Sequence, residues 1–311
     1  MYKNKNIKLS IILLALIVLS VILMTRGSRK QRLAVDKMYF SVEDTASIDR
    51  VEIRAEASEN LLTRSMDQWQ VNGKYMVDPS MKTVLLTVLN KVRAQRPVPA
   101  NKIMEVSEEL SENGIRVNIY SGNELIQSYI SGGNGVSISY FMKDNDDPYI
   151  VHLPGYDSYV SGIFEVSEND WRDRFIFSTN WIGLKELKLE YPDVSAHNFT
   201  IETADIHLTI PGISQLDTTA MMEYIELFRY FQVDQFISQG DNPMYDSIFK
   251  TNPYALLSID DTGFENPIII KFFQMDKEDP IMPCLIGDQP AILSSTRMNP
   301  IFKKRSDFEK K

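Results

Sequence analysis

Cysteine is nearly missing from this chain: Cys284 stands alone among 311 residues. One thiol excludes an internal disulfide framework and any paired-cysteine zinc site. Histidine is scarce as well, and the three present (His152, His197 and His207) form no HExxH pattern. A serine hydrolase would carry G-x-S-x-G or a comparable serine setting, and none is found. Net positive charge is lacking beyond the first 35 residues. The net charge is −9, and residues 1–35 hold seven Lys or Arg and no acid, which leaves −16 for the body. So acidic a body argues against binding to a phosphate backbone, which needs a positive surface, and no nucleic-acid partner is expected. It also disfavours a second membrane-surface contact outside the basic segment Arg26–Arg32.

Long apolar runs are absent with one exception. Leu9–Met24 (LSIILLALIVLSVILM) has no charged side chain. A hydrocarbon core of roughly 30 Å takes about 17–25 such residues, so the run reaches the lower edge of a full span. A cleaved signal would end in small residues, whereas Ile22, Leu23 and Met24 run straight into Thr25–Arg26. A lipoprotein signal needs a cysteine there, and a buried core helix would alternate polar with apolar positions. The expectation is an uncleaved anchor. Lys3, Lys5 and Lys8 precede it, and Arg26, Arg29, Lys30 and Arg32 follow. With both flanks basic, the positive-inside rule does not orient it. The signal-anchor layout (short tail, one apolar segment, one long polar chain) sets the expected sidedness: amino terminus in the cytoplasm, body on the periplasmic or extracytoplasmic side of the inner membrane.

The body is ordinarily globular, with 43% hydrophobic and 24% charged residues. Ile48–Ala55 reads as a strand. Trp69–Val71 meets Tyr75–Val77 across Asn72-Gly73, a dipeptide suited to the left-handed angles of a tight turn. Asp78-Pro79 is an N-cap followed by proline at the first helical position. The helix it opens extends to about Ala94, with Met81, Val84, Leu85, Val88, Leu89 and Val92 at helical spacing. A polar connection (Ser107–Asn113) leads to strands at Ile115–Tyr120, Leu125–Ile130, Ser137–Met142 and Tyr149–Leu153.

The later part repeats this plan. Leu184–Leu189 reads as a strand, and His197–Glu202 and Ile206–Ile210 as a hairpin. Asp217-Thr218 opens a helix to about Phe231 with Met221, Met222, Ile225, Phe228 and Phe231 inward. Strands follow at Tyr254–Ile259, Ile268–Phe273 and within Leu285–Leu293. The offset between halves stays near 136 to 140 residues, which marks an internal repeat. The expected fold is α+β: two tandem repeats of strand, hairpin, helix and antiparallel strands after a single amino-terminal transmembrane helix. Its parts are a cytoplasmic tail (1–8), the anchor (9–25), a juxtamembrane linker (26–37) and the first repeat (38–168). A connector (169–183), the second repeat (184–302) and a frayed charged tail (303–311) complete it.

The connector packs Trp171, Arg172, Arg174 and Trp181 into a short stretch. The expected role is a staple between the repeats, with the arginines paired to Asp170, Asp173 or Glu168; because Trp and Arg are enriched at binding hot spots, the alternative is a partner contact. Other candidates reduce to ordinary structure. Gly132–Gly135 is followed by a strand, not the helix a phosphate loop needs, so it reads as a hairpin turn. Asp144, Asp146 and Asp147 lack the later bidentate Glu of a calcium loop, and Asp260-Asp261 with Gly263 has hairpin chemistry. His197 and His207, on neighbouring strands, fall short of the three or four ligands of a zinc site. No catalytic residue, cofactor or metal ligand is therefore assigned.

Four features, in this order, resemble the bacterial "domain of unknown function 4340" family. They are the amino-terminal anchor, the Trp69-Gln-Val-Asn-Gly73 hairpin before Asp78 and its helix, the Tyr140–Leu153 strands, and the Trp171-Arg-Asp-Arg174 connector. The resemblance spans nearly the whole chain and carries over no catalytic residues. It implies an envelope-facing α+β protein whose relatives occur beside, or fused to, auxiliary subunits of gliding-type ABC transporters. The expected function is a non-enzymatic accessory or scaffold protein at the membrane, a partner of such transport proteins. The alternative is an envelope module binding a peptide, glycan or lipid in the cleft between the repeats.

Overall fold

The computed structural model describes residues 35–310, apart from 57, 205–206 and 275–279. The expected anchor (9–25) and its flanking bases Lys3, Lys5, Lys8, Arg26, Arg29, Lys30 and Arg32 lie outside the described residues. Among the described residues no helix is long and apolar enough to cross a membrane.

In chain order the elements are β1 (Arg50–Arg54), β2 (Glu59–Ser65), β3 (Gln68–Val71), β4 (Tyr75–Met76), α1 (Pro79–Lys91), β5 (Arg93–Pro97) and α2 (Ile103–Asn113). Then come β6 (Ile115–Ser121), β7 (Glu124–Gly133), β8 (Ser139–Met142), β9 (Tyr149–His152), α3 (Glu168–Trp171) and β10 (Phe175–Phe177). Next are β11 (Leu184–Glu190), β12 (Phe199–Ala204), β13 (His207–Thr209), α4 (Thr218–Glu226), β14 (Phe231–Gln232), β15 (Gln235–Phe236) and α5 (Pro243–Ile248). The chain closes with β16 (Ala255–Asp261), β17 (Ile268–Phe272), β18 (Ile281–Ile286), β19 (Gln289–Ser294) and α6 (Ser295–Met298). It is a mixed α/β protein of mostly antiparallel sheet with few helices.

Two compact units arise, each from separate stretches of chain. The smaller takes the described residues up to Thr45, with Thr87–Gly114 and Tyr129–Ser161. The larger takes Ala46–Leu86, Ile115–Ser128 and Gly162–Lys311.

In the smaller unit the strand order is β7-β8-β9-β5. Its centre is Phe40, fully buried, with Tyr129, Phe141 and Tyr149 around it at 5.8, 5.5 and 5.9 Å between ring centroids. Ser107–Asn113 is not the polar connection expected: it is the latter part of α2. Only Val106 and Leu110, one turn apart, are buried in that helix, and they pack with Val98 and Met142. Two apolar positions among acidic and polar neighbours are enough for a helix lying on a core, but weak as a period.

In the larger unit one strand order is β4-β3-β2-β1-β6-β7. Val51 faces Leu62 on β2 and Ile119 on β6, and all three are fully buried. The β3–β4 turn forms as expected, with Asn72 and Gly73 at φ 54° and 63°. β2 escapes the alternation rule because Asn60 occupies a buried place, where its amide donates to the Val166 carbonyl at 3.1 Å. The other order, also in this unit, is β13-β12-β11-β16-β17-β18-β19-β15. Here Leu187 faces Ile201 and Ile259, again fully buried. α4 covers this sheet with Met221, Tyr224 and Ile225 and ends at Glu226, short of the expected Phe231. Phe228, in the turn that follows, and Phe231, the first residue of β14, still reach the core.

The two helix starts are closed in one manner. Asp78 Oδ1 accepts from Ser80 and Met81 amides, and Asp217 Oδ1 from Thr219 and Ala220 amides. Each aspartate's own amide is taken by a later segment: Asp78 N donates to Trp171 O, and Asp217 N to Phe308 O, both at 2.8 Å. Single bridges continue the match, Val77 to Arg172 and Leu216 to Glu309. The carboxyl-terminal stretch is thus docked, not frayed. Phe308 is 1% exposed, its ring 4.8 Å from Phe199 and 5.4 Å from Tyr224. An aromatic residue hidden among charges has no periodicity to reveal it. Phe308→Ala is expected to lower unfolding free energy by about 3–5 kcal/mol, read as an earlier urea midpoint.

Candidate functional site

The four connector candidates separate into a trio and an outlier. α3 begins after Ser167, whose amide and hydroxyl both donate to Asp170 Oδ2 at 2.9 and 2.7 Å. This short turn delivers Trp171 into full burial. The next residue, Arg172, is 6% exposed. Its guanidinium carbon lies 3.6 Å from the ring centroids of both Tyr75 and Phe236. Nη1 donates to Asn169 Oδ1 at 3.2 Å and Nη2 to Gln289 Oε1. Burial pulls the Arg172 pKa down, and the nearby Tyr75 and Glu168 offset that only in part. Among the described residues no carboxylate pairs with it, and two π faces and two amide oxygens hold the charge.

Arg174 is placed differently. Half exposed, it sets Nε 3.5 Å from Asp78 Oδ2 and Nη1 3.5 Å from the Asp234 carbonyl. Beside it opens a cleft of about 390 Å³, lined by Asp78, Asp170, Arg174, Asp234 and Gln235 among others. Its carboxylates have work already. Asp78 caps α1, Asp170 caps α3, and Asp234 pairs with Arg297 at 3.1 Å. Trp181 is not part of this group. It is 52% exposed and lines a separate pocket of about 670 Å³.

Tyr75, Phe236 and Gln289 were not among the sequence candidates, and no local signal marks them. They meet Arg172 only because β4, β15 and β19 converge on the connector. Asp78 was legible, but as a helix cap.

The remaining candidates take ordinary places. In the Gly132–Gly135 turn, Asn134 Oδ1 accepts from the amides of Val136, Ser137 and Ile138 at 3.0, 2.9 and 2.8 Å, so those donors are already used. Asp146 accepts from the Tyr39 hydroxyl at 2.7 Å and from the Asp147 amide at 2.9 Å. His197 sits before the start of β12, while His207 pairs with Ala204 at its far end. Six residues of strand, roughly 3.3 Å each, keep these histidines apart. Asp261 exceeds its expected turn role: it is 7% exposed, and its carboxylate accepts from the Thr179 hydroxyl and the Gly263 amide. Among the described residues no three His, Cys, Asp or Glu side chains are placed to hold a metal ion. Cys284 is buried, which pushes its thiol pKa up and away from reactivity.

A family model described as "Domain of unknown function (DUF4340)" matches residues 69–247, more than half of the chain. The chain belongs to the DUF4340 family. Comparison with curated proteins and with solved structures found no match. The DUF4340 match begins at Trp69 and takes in both the Asp78-capped helix and the Trp171–Arg174 connector. It therefore includes Tyr75, Arg172 and Phe236, the stacked guanidinium with both rings, while Gln289 falls outside.

Two expectations follow for this DUF4340 chain. Arg172→Lys loses the planar stack and should lower stability by about 2 kcal/mol. Arg174→Ala, removing a half-exposed pair, should change it by less than about 1 kcal/mol; urea titrations of both variants check the contrast. The second concerns pH. The hydrogen bond to Asp146, and then burial, push the Tyr39 pKa up to about 12 from 10.0. The folded state keeps a proton that the unfolded chain releases near 10, so this stabilisation is complete below pH 10. It fades as pH rises through about 12. Tyr39→Phe should flatten that alkaline loss of stability, measured as Tm against pH.

Proposed function

We propose that this DUF4340 chain is a membrane-anchored envelope protein, an accessory or scaffold component without catalysis of its own. The observation that carries the reading is the uncharged run Leu9–Met24 ahead of an acidic body. In this reading the run crosses the inner membrane once and the body lies on its periplasmic or extracytoplasmic side. The partners are membrane proteins of a gliding-type ABC transport system. Support for a scaffold comes from the connector, whose buried Arg172 and capping carboxylates are spent on internal bonds.

The body is read as an internal duplication, with repeats at 38–168 and 184–302. Two facts support this: the order β3-β2-β1-β6-β7 has its counterpart in β13-β12-β11-β16-β17, and each capping aspartate receives its closing segment alike. A second reading is an envelope module that binds a peptide, glycan or lipid; the roughly 670 Å³ pocket at Trp181 favours it, though its lining comes from the connector's end and the second repeat and not from both repeats.

Deleting residues 9–24 is expected to release the chain from carbonate-washed membranes. Retention of the deleted form would overturn the tether. A pull-down from cross-linked membranes should recover a discrete membrane complex, and recovery of the chain alone would count against the scaffold. A reporter fused after Lys311 reads the side of the membrane.

A further inference from the structure

The apolar side chains at the Trp181 pocket are held out by a rigid turn. Asn180 Oδ1 accepts from the amides of Ile182 and Gly183 at 2.8 and 3.2 Å, closing the turn on itself. The buried Thr179–Asp261 bond fixes its base, and the Thr262 amide donates to Gly183 O at 2.9 Å. A Cβ on Gly183 would come within 2.6 Å of Asp261 Oδ2, so a larger residue there would have to displace a carboxylate that Thr179 and Gly263 already engage. At the tip, Trp181 is 52% and Ile182 74% exposed. A buried carboxylate packed closely against a glycine thus supports a turn that presents two large apolar side chains to solvent, the kind of anchor found at protein contacts.

The pocket beside them has a counterpart that is already filled. Trp69 pairs with Arg64 in the β2–β3 hairpin, one pair in from the turn. Leu208 pairs with Thr203 in the β12–β13 hairpin at the same place, also one pair in. Each lies two residues before a buried inward residue, Val71 and Ile210. Trp69 is 5% exposed and fills its site. Leu208 offers a smaller side chain, and an open pocket remains against Met221 and Met222 of α4. The strands differ at their edges too. β4 pairs with β3, whereas β13 is the outermost strand of its sheet order.

We infer that this pocket takes an aromatic side chain from an extended segment of a partner polypeptide, laid along β13 against Trp181 and Ile182. The occupant is a polypeptide for two reasons. An outermost strand offers backbone donors and acceptors that a strand can pair with and an acyl chain cannot. The net charge of −16 beyond residue 35 repels an anionic lipid surface. This inference rests on the second reading above, the binding module, and names the partner of that site.

The test uses the full chain in lipid nanodiscs with 13C-methyl methionine, and two probes: N-acetyl-tryptophanamide for the aromatic side chain and decanoate for an acyl chain. Saturable shifts of the Met222 methyl with the first probe, weakened at least about tenfold in Leu208→Trp, are the expected result. Leu208→Trp fills the pocket with the residue its counterpart carries. Should that variant fail to fold, Ile182→Ser at the exposed tip must weaken the same shifts. Shifts with decanoate and not with the indole overturn the inference and leave the binding reading standing. No shift with either probe overturns both. Unchanged affinity in both variants places the probe elsewhere and also overturns the inference.

Discussion

Two backbone hydrogen bonds order much of the larger unit: the amide of Asp78 to the Trp171 carbonyl, and the amide of Asp217 to the Phe308 carbonyl. A capping aspartate has non-helical backbone, so its own amide is free to bond outside its helix. Here that amide recruits a segment far along the chain, and the bridge beside it turns the recruitment into a short stretch of sheet. Around the first bond, Trp171 and Arg172 are carried into burial. Around the second, Phe308 enters the core between Phe199 and Tyr224.

Burying Arg172 would be unfavourable without compensation, since desolvation opposes the charged form. The compensation is geometric. A planar guanidinium presents two faces and a donor edge, and Tyr75, Phe236, Asn169 and Gln289 meet these separately. Nε finds no hydrogen-bond partner among the described residues, and neither does Trp171 Nε1. Donors left without acceptors in so enclosed a place restrict what could replace these residues. The Trp-Arg pair, a staple or a partner contact by sequence, is buried in the fold. The exposed apolar feature lies ten residues on, at Trp181-Ile182.

Much of the fold was legible locally. Asn72-Gly73, Asp78-Pro79 and Asp217-Thr218 each specify a turn or cap within four residues, and each forms where expected. The antiparallel strands from Ile115 to Leu153 and the pair within Tyr254–Phe273 follow alternation closely enough to be read, whereas β18 begins at Ile281, ahead of the expected Leu285, and buries Met282, Pro283 and Cys284 in succession. What escaped were elements whose signal is not periodic. β2 has a buried asparagine, α2 has only two buried positions, and the last residues hide Phe308 among lysines. Of the site, Arg172 and Trp181 were identifiable by residue type, but their opposite environments were not.

The sequence by itself determined the tether candidate, the acidic body, the helix starts and the hairpin turns, because these depend on composition or on neighbours a few residues apart. The resemblance to DUF4340 was also visible there, in the order of four short motifs. Only the tertiary structure decided which tryptophan is buried and which is presented. That difference arises from contacts between strands far apart in sequence: β4 and β15 close over the connector, while among the described residues β13 is the outermost strand of its sheet order. Leu208 is set opposite Thr203 within a single hairpin, but the pocket beside it also takes Trp181, Met221 and Met222, which no local pattern brings together.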